Sequence, residues 1–502
     1  MGYLIGVDLG TQGTKTSLLN EQLQTVAEAF QPSNLIYPEA GAVEQDPEEM
    51  LDSVLATISE VMNKSGVSAK DVVAIALDGQ MAGVMAVDKD GMAVTPYDSW
   101  LDTRCGAYRD RFLDYGEERV IAVTGTPVTY AHGPKKLWWK YEHPSVYEKI
   151  DKFIQPAVYC AMRMCGLSGD EAFIDYTYLH FSGFADTENK KWSSELTDAL
   201  DFDINKLPRI VKPYDKVGGL TREMADRAGL LEGTPMAAGC GDTAATSLGA
   251  GVVRSGLMFD IAGTASILAW ASDRYTPDTK HKTILFAPSV VDGLYTPMAY
   301  INGGGMCLKW LRDDVLNGAF SYDQLSAMAE KLPPGSENLL FVPHFSGRVC
   351  PNDTLVRGSY VNLTWKHKTE HLYRAIMEGI AYEYRIYTDI LRELAPDMQA
   401  ERIIGVGGGS KSALFRQIKA DVMGVPVSTI QQADTAVVAC GAIAGYSVGL
   451  YDDLIEPIQK TLSFTEHTQP NPALYDIYQK RQKVYAGLFS ALRETYKELS
   501  KF

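Results

Sequence analysis

Residues 5–19 read IGVDLGTQGTKTSLL. Leu4, Ile5, Val7 and Leu9 form an apolar run interrupted by one carboxylate, Asp8. Gly10 and Gly13 bracket a turn, with Thr11, Gln12 and Thr14 beside them, and the apolar pattern resumes at Leu18 and Leu19. This predicts a strand, a glycine turn and a second strand. Two phosphate-binding motifs can be tried against it, and neither fits. A P-loop puts Lys and a hydroxyl residue directly after its second glycine; here Gly13 is followed by Thr14 and then Lys15, and a strand continues. The dinucleotide fingerprint needs a helix to open after its glycines. What remains is a hairpin whose turn offers backbone N–H groups and small hydroxyls, which can act as an anion nest. Asp8 could hold a hard cation there, directly or through water. An ordinary glycine hairpin with a solvent-facing carboxylate at its rim accounts for the same residues.

The theme returns at 256–270, GLMFDIAGTASILAW, again a strand, a Gly–Thr turn and a strand. A recurrence after about 250 residues, half of the chain, argues for two similar domains, placed at 1–250 and 251–502. Two such hairpins facing one cleft could grip a nucleotide's phosphate chain from both sides. Gly–Thr turns are also common in hairpins that bind nothing.

The rest of the chain fits an α/β organisation. PEEMLDSVLATISEVMNKSG (47–66) has a helical apolar period, Pro at its start and Gly at its end, and VVAIALDG (72–79) reads as a strand. At 502 residues the chain exceeds one ordinary core. With 46% hydrophobic and 22% charged residues it is a folded protein. A net charge of −16 argues against nucleic acid or an anionic membrane as partner. An anionic substrate such as ATP would then need local compensation, from Mg²⁺ or from loop and helix N–H groups. No apolar run reaches the roughly 18 residues of a bilayer span, and no basic region precedes an apolar one at the N-terminus, so no secretory signal is expected. The seven cysteines are scattered without a CxxC pair, which suits reduced thiols and a cytoplasmic location.

Several segments carry candidate chemistry. RIIGVGGGSKSALFRQIKADVMGVPV (402–427) runs from a strand through Gly407, Gly408 and Gly409 into a helix from about Ser412. Such a helix entry lets a ligand approach the backbone and favours anions, or is a flexible loop without a ligand. GCGDTAATSLGAG (239–251) sets Asp242 among small residues before a helix. Asp242 is either an N-cap or a base that the flanking glycines leave open to a hydroxyl. In GQMAG (79–83) and SWLDTR (99–104), Gln80, Asp102 and Arg104 could hydrogen-bond a polyol, or serve as surface-turn residues. There is no HExxH, no Cys/His cluster at metal spacing, and neither HFSG (180–183, 344–347) is a GxSxG elbow.

Jointly these segments resemble the FGGY family of carbohydrate kinases over nearly the whole chain. The family shares an α/β fold of two actin/hexokinase-like (ribonuclease H-like) ATPase domains with a central cleft. DLGTQGTK looks like its first phosphate motif, IAGTAS like its second, and GCGDTAA like its catalytic GGGDNAA segment. GSYVNLTWKHKTEHLYRAIMEG (358–379) resembles the C-terminal signature, with Ala375 and Glu378 at the expected spacing, and GPKKLWWKYEHP (133–144) is a looser match to the other signature. Within the family the segments look most like xylulokinases: GQMAG is similar to their GQMHG, and SWLDTRC to their LWNDGRC. Ala82, Thr243 and the FSGRVCP stretch containing Arg348 depart from that pattern, as do Tyr178 and His180, which stand where small or acidic residues are usual.

The resemblance implies phosphoryl transfer from ATP with Mg²⁺ to a sugar or polyol hydroxyl. It implies Asp242 as catalytic base and Asp8 as the metal-orienting carboxylate. Gly10, Thr11, Gln12 and Lys15 would contact the transferred group; Gly263, Thr264 and Gly305 would hold the rest of the phosphate chain. Gly408, Gly409 and Ser412 would lie by the adenosine, and Gln80, Met81, Ala82, Asp102 and Thr243 would line the sugar pocket. The expected substrate is a pentulose, D-xylulose first. Ribulose, a short polyol or a sugar acid is the alternative, and a binding ATPase of the same superfold, without kinase activity, the remote one. Many family members dimerise, so a homodimer is an implied partner state.

Overall fold

The computed structural model describes residues 2–263, 265–431 and 434–502. Thr264, expected at the phosphate chain, lies outside the described residues. The chain forms two compact units: Met1–Val253 with Phe286–Thr296 and Asp434–Leu462, and Arg254–Leu285 with Pro297–Ala433 and Ser463–Phe502.

In the first unit the sheet order is Lys216–Gly219, Pro235–Ala237, Val72–Gly79, Tyr3–Leu9, Gly13–Asn20, Thr25–Pro32. Tyr3–Leu9 pairs antiparallel with Gly13–Asn20, placing Asp8 opposite Lys15, and parallel with Val72–Gly79, placing Asp8 opposite Asp78. The short strand Cys240–Gly241 pairs with the end of Val72–Gly79, Cys240 opposite Asp78. The opening strand is central, so both its faces must be covered, and a strand buried on both faces reads as a near-continuous apolar run. Ile5, Val7 and Leu9 pack with Leu51, Val54 and Ile58 of the helix Pro47–Ser65. Leu4 faces the other way, with Val438 and Ile443 of the helix Thr435–Ser447. The hairpin's inner hydroxyls bind the first helix: Thr14 to Ser53 at 2.6 Å and Thr16 to Thr57 at 2.7 Å. That helix is capped as its sequence predicts, by Asp46 at one end and by Gly66 at φ 64° at the other.

The second covering helix sits close because glycines admit it. A Cβ on Gly6 would lie 2.1 Å from the Val437 carbonyl oxygen, and one on Gly249 1.9 Å from that of Thr435. Gly6→Ala is therefore expected to lower stability by about 1–3 kcal/mol, the usual range for overpacking. Urea unfolding measures this, and a wild-type midpoint would show that the helix retreats without cost.

The second unit repeats the plan. Val427–Ile430, Arg402–Val406, Leu257–Ala262, Ser266–Trp270 and Tyr295–Ile301 follow one another in the order of their counterparts in the first unit. The pairings match: the hairpin and its next strand are antiparallel, and Leu257–Ala262 lies parallel to Arg402–Val406. Each sheet also carries an antiparallel edge strand, Lys216–Gly219 in one and Phe464–Thr468 in the other. This is the duplicated α/β architecture expected from the recurring hairpins. The long helix Thr369–Leu394 holds the C-terminal signature. Its Glu378 is 1% exposed and accepts hydrogen bonds from Gly335, Ser336, Arg374 and Tyr478, which is a scaffold role. Among the described residues, no helix is long and apolar enough to cross a membrane.

Candidate active site

In the first unit three strand ends lie side by side, at the carboxyl ends of parallel strands where ligands bind in open α/β sheets. Each end carries a carboxylate: Asp8, Asp78 and Asp242. Asp242 is the first residue of the helix Asp242–Gly249, and the N-cap is Gly241. One oxygen, Oδ1, accepts the Thr243 N–H at 2.5 Å and the Thr243 hydroxyl at 3.1 Å. The other, Oδ2, accepts no hydrogen bond from a described residue. Asp242 is thus not the N-cap, and one of its oxygens is available. Burial, and then the charge of Asp8, raise its pKa to about 7.

Asp78 has no solvent exposure. Its Oδ2 accepts from the Cys440 thiol at 3.1 Å. Burial, with the neighbouring Asp8 charge, pushes it well above the usual carboxylate range. Burial also raises Asp8, against a hydrogen bond with Asp78 that lowers it. Asp78 was not foreseen from the sequence. A signal was present, because ALDG repeats the pattern of VDLG: an apolar run, a carboxylate and a glycine at the strand's end.

The hairpin turn is tied to the GQMAG segment by a chain of hydrogen bonds. Trp100 Nε1 donates to Thr11 Oγ1 at 2.9 Å, and Thr11 Oγ1 donates to Gln80 Oε1 at 3.1 Å. Gln80 Nε2 donates to Gln45 Oε1 at 2.7 Å. Met81 packs where a Cβ on Gly241 would sit, 2.6 Å from its terminal carbon. Ala82 holds φ +63°, a left-handed conformation rare outside glycine. Gly10 closes the turn by donating to the Gly13 carbonyl at 3.0 Å, and Gln12 is exposed. The structure thus gathers Thr11, Gln80 and Trp100 into one network and Met81 against Gly241, while Thr243 holds Asp242.

Other expected residues have partners within the protein. Asp102 accepts from Val43 N–H at 3.0 Å, Arg104 N–H at 3.0 Å and Arg104 Nε at 2.8 Å. Lys15 Nζ pairs with Asp434 at 2.5 Å and with Glu28 at 3.7 Å. Arg104 also contacts Glu44 at 2.7 Å and Asp98 at 3.0 Å, and lies 4.4 Å over the Trp138 ring.

A divalent cation fits the first-unit site. Burial raises Asp8, Asp78 and Asp242; the charge of Asp8 adds to this at Asp78 and Asp242, and that of Asp434 at Asp8, while Lys15, whose charge lowers Asp8, is itself engaged by Asp434. That is negative potential short of a positive charge. Among the described residues no group of three His, Cys, Asp or Glu side chains forms a metal cage. Mg²⁺ needs none, since it keeps several waters and is held by one or two carboxylates plus phosphate.

The second unit contains a cavity of about 450 Å³, within the range of small-molecule sites. Gly263, Gly305, Gly408, Gly409 and Ser412, all foreseen, line it. Glycine is required in this wall, since a Cβ on Gly409 would lie 2.6 Å from that of Ala262. Ser412 caps the helix Ala413–Met423, its hydroxyl accepting the Phe415 N–H at 3.3 Å. The sequence did not single out the apolar walls, Tyr322, Tyr373, Met377 and Phe415, nor the cations Lys309 and Lys411. Lys411, inside GGGSKS, was the legible one.

The model of the FGGY family of carbohydrate kinases, N-terminal domain, matches residues 3–249, and that of its C-terminal domain matches residues 259–447. The chain is 28% identical over 502 residues to the xylulose kinase of Bacillus subtilis (strain 168), covering 98% of this chain and 99% of that one. It is similar to the solved structure of ligand-bound xylulose kinase from Lactobacillus acidophilus, with a TM-score of 0.92 and 25% identity over 99% of this chain and 100% of that one. The solved gluconate kinase from Lactobacillus acidophilus has the same TM-score, 0.92, at 25% identity, over 99% of each chain.

Proposed function

We propose that this chain, which belongs to the FGGY family of carbohydrate kinases, transfers the terminal phosphoryl group of ATP to a hydroxyl of a neutral pentulose, D-xylulose first. The family makes it a phosphotransferase with an alcohol group as acceptor. One observation carries the mechanism: Asp242 is a carboxyl raised to about 7, with one oxygen held by Thr243 and the other open, beside the GQMAG segment.

In this reading Asp242 Oδ2 accepts the proton of the attacking hydroxyl, while Thr243 fixes the orientation of the carboxylate. Phosphoryl transfer passes through a loose transition state, so positioning of the hydroxyl counts for more than the strength of the base. The Thr11–Gln80 hydrogen bond then matters because it links the phosphate-side turn to the acceptor-side segment. Asp8, backed by Asp78, would hold Mg²⁺, largely through water; the ion supplies charge neutralisation on the phosphate oxygens. Gly408, Gly409 and Ser412 would receive the adenosine in the second-unit cavity, with Lys309 and Lys411 offsetting the charge of its phosphates.

A neutral acceptor is supported by where the cations go. Arg104 is balanced by Glu44, Asp98 and Asp102, and Arg348 faces Glu383 at 3.4 Å. A sugar acid would have to compete with these carboxylates for either guanidinium. The likeness to gluconate kinase keeps the sugar acid as the second reading. ADP release with MgATP is the test, against D-xylulose, D- and L-ribulose, erythritol, glycerol and gluconate. Turnover with D-xylulose and none with gluconate is expected. Gluconate as the preferred acceptor would overturn the assignment of a neutral sugar while leaving the transfer chemistry intact.

A further inference from the structure

The segment DYTYLHF (175–181) carries Tyr178, which departs from the xylulokinase pattern and stands on the sugar side by sequence. The structure gives its phenol another task. Residues Tyr176–Phe181 form a short 3₁₀ helix, and the Tyr178 side chain within it is 1% exposed. Its single O–H is shared between two carbonyl oxygens, Gly79 at 3.0 Å and Cys240 at 3.1 Å. Next to it, Thr177 Oγ1 accepts the Gly241 N–H at 2.9 Å and donates to Asp175 Oδ1 at 2.6 Å. Asp175 has no solvent exposure and also accepts the Thr177 N–H at 2.9 Å, which locks the threonine.

These contacts fall where the sheet runs out. The last rungs between the two strands pair Cys240 with Asp78 and Gly241 with Gly79. One residue further, Asp242 opens a helix while the Gln80 N–H still donates to the Leu9 carbonyl at 3.1 Å, and no pairing between their own two strands fixes the spacing of Gln80 and Asp242. Tyr178 and Thr177 bind the final peptide groups of both strands, so they take over at the point where backbone pairing stops. Gly79 leaves room for this, since a Cβ there would meet Ala157 at 2.8 Å and the phenol oxygen at 3.5 Å.

We infer that Tyr178 is a positioning residue for phosphoryl transfer: through the Gly79 and Cys240 carbonyls it sets the distance between the acceptor-side Gln80 and Asp242, and it does not touch the sugar. The inference rests on the reading of Asp242 as the base. The test is Tyr178→Phe in the full chain, with Thr177→Val as a second variant. Both are assayed with MgATP and the acceptor that turns over in the panel, and kcat is expressed per folded molecule by near-UV circular dichroism. A misplacement of an ångström costs about 10²-fold in rate, so a 10- to 100-fold fall in kcat is expected for Y178F, with the KM values for sugar and ATP within about twofold of wild type. T177V is expected to fall in the same direction, and it carries the test if Y178F does not fold. A wild-type kcat per folded molecule would overturn the inference. So would a raised sugar KM at unchanged kcat, the mark of direct contact. Asp242→Asn is run in parallel: if it keeps normal turnover, the base assignment and this inference fall together. If D242N is inactive and Y178F is normal, the inference alone falls.

Discussion

Asp242→Asn is expected to lower kcat by about 10²–10⁴-fold, the range for loss of a positioned general base, without raising the KM for ATP. Asparagine keeps the shape of the side chain and the acceptor for the Thr243 N–H and hydroxyl. What it loses is the basic oxygen. The same variant carries a stability signature of the opposite sign. A carboxyl raised from 3.8 to about 7 by burial adds stability while it is protonated, in acid, and that contribution is lost as pH rises through about 7. At pH 8 the wild type holds an ionised Asp242 that the fold opposes. D242N, neutral at every pH, should therefore melt at or above the wild-type temperature at pH 8 and lose this advantage at pH 4. An inactive variant that is also less stable at pH 8 would mean that the substitution had damaged the fold, and near-normal turnover would remove Asp242 from the chemistry.

Asp8→Asn is expected to act at a distance on the same group. Burial is the main cause of the raised Asp242 value, and the charge of Asp8 is the second. In the wild type, kcat/KM for the sugar should fall as pH drops below about 7, because the free enzyme's base must be ionised to work. Removing the Asp8 charge should move that inflection to lower pH. It should also raise the Mg²⁺ concentration needed for half-maximal rate by about 10–100-fold, as the loss of a water-mediated metal contact does. The two readouts separate the roles: an unmoved inflection would mean that Asp8 and Asp242 do not share a field, and an unmoved Mg²⁺ requirement would mean that the ion is held elsewhere.

Much of this site was legible in the chain because its elements are local. The apolar run of Leu4, Ile5, Val7 and Leu9 and the Gly10–Gly13 turn marked a hairpin, and the structure has it at Tyr3–Asn20. Gly408, Gly409 and Ser412 sat at a strand-to-helix entry that folds as read, around the second-unit cavity. Residues whose partners are far along the chain were less legible. Tyr178 looked like a sugar-side substitution, and it hydrogen-bonds backbone carbonyls 99 and 62 residues away. Asp102 looked free to bind a polyol, and its carboxylate is held by Val43 and Arg104.

The sequence by itself determined the duplicated hairpins, the ends of their strands and the glycines at the turns, because apolar period and turn chemistry act over a few residues. It could not say which carboxylate is chemical. VDLGT and FDIAGT look alike, yet Asp260 is neutralised by a buried ion pair with Lys419, 159 residues away, and by the Tyr384 hydroxyl at 2.6 Å. Asp8, at the corresponding hairpin, lies opposite another carboxyl, Asp78, on one side and Lys15 on the other, and burial raises its pKa. Only the tertiary structure decided this, because the state of a buried charge depends on whatever the fold brings within a few ångströms of it.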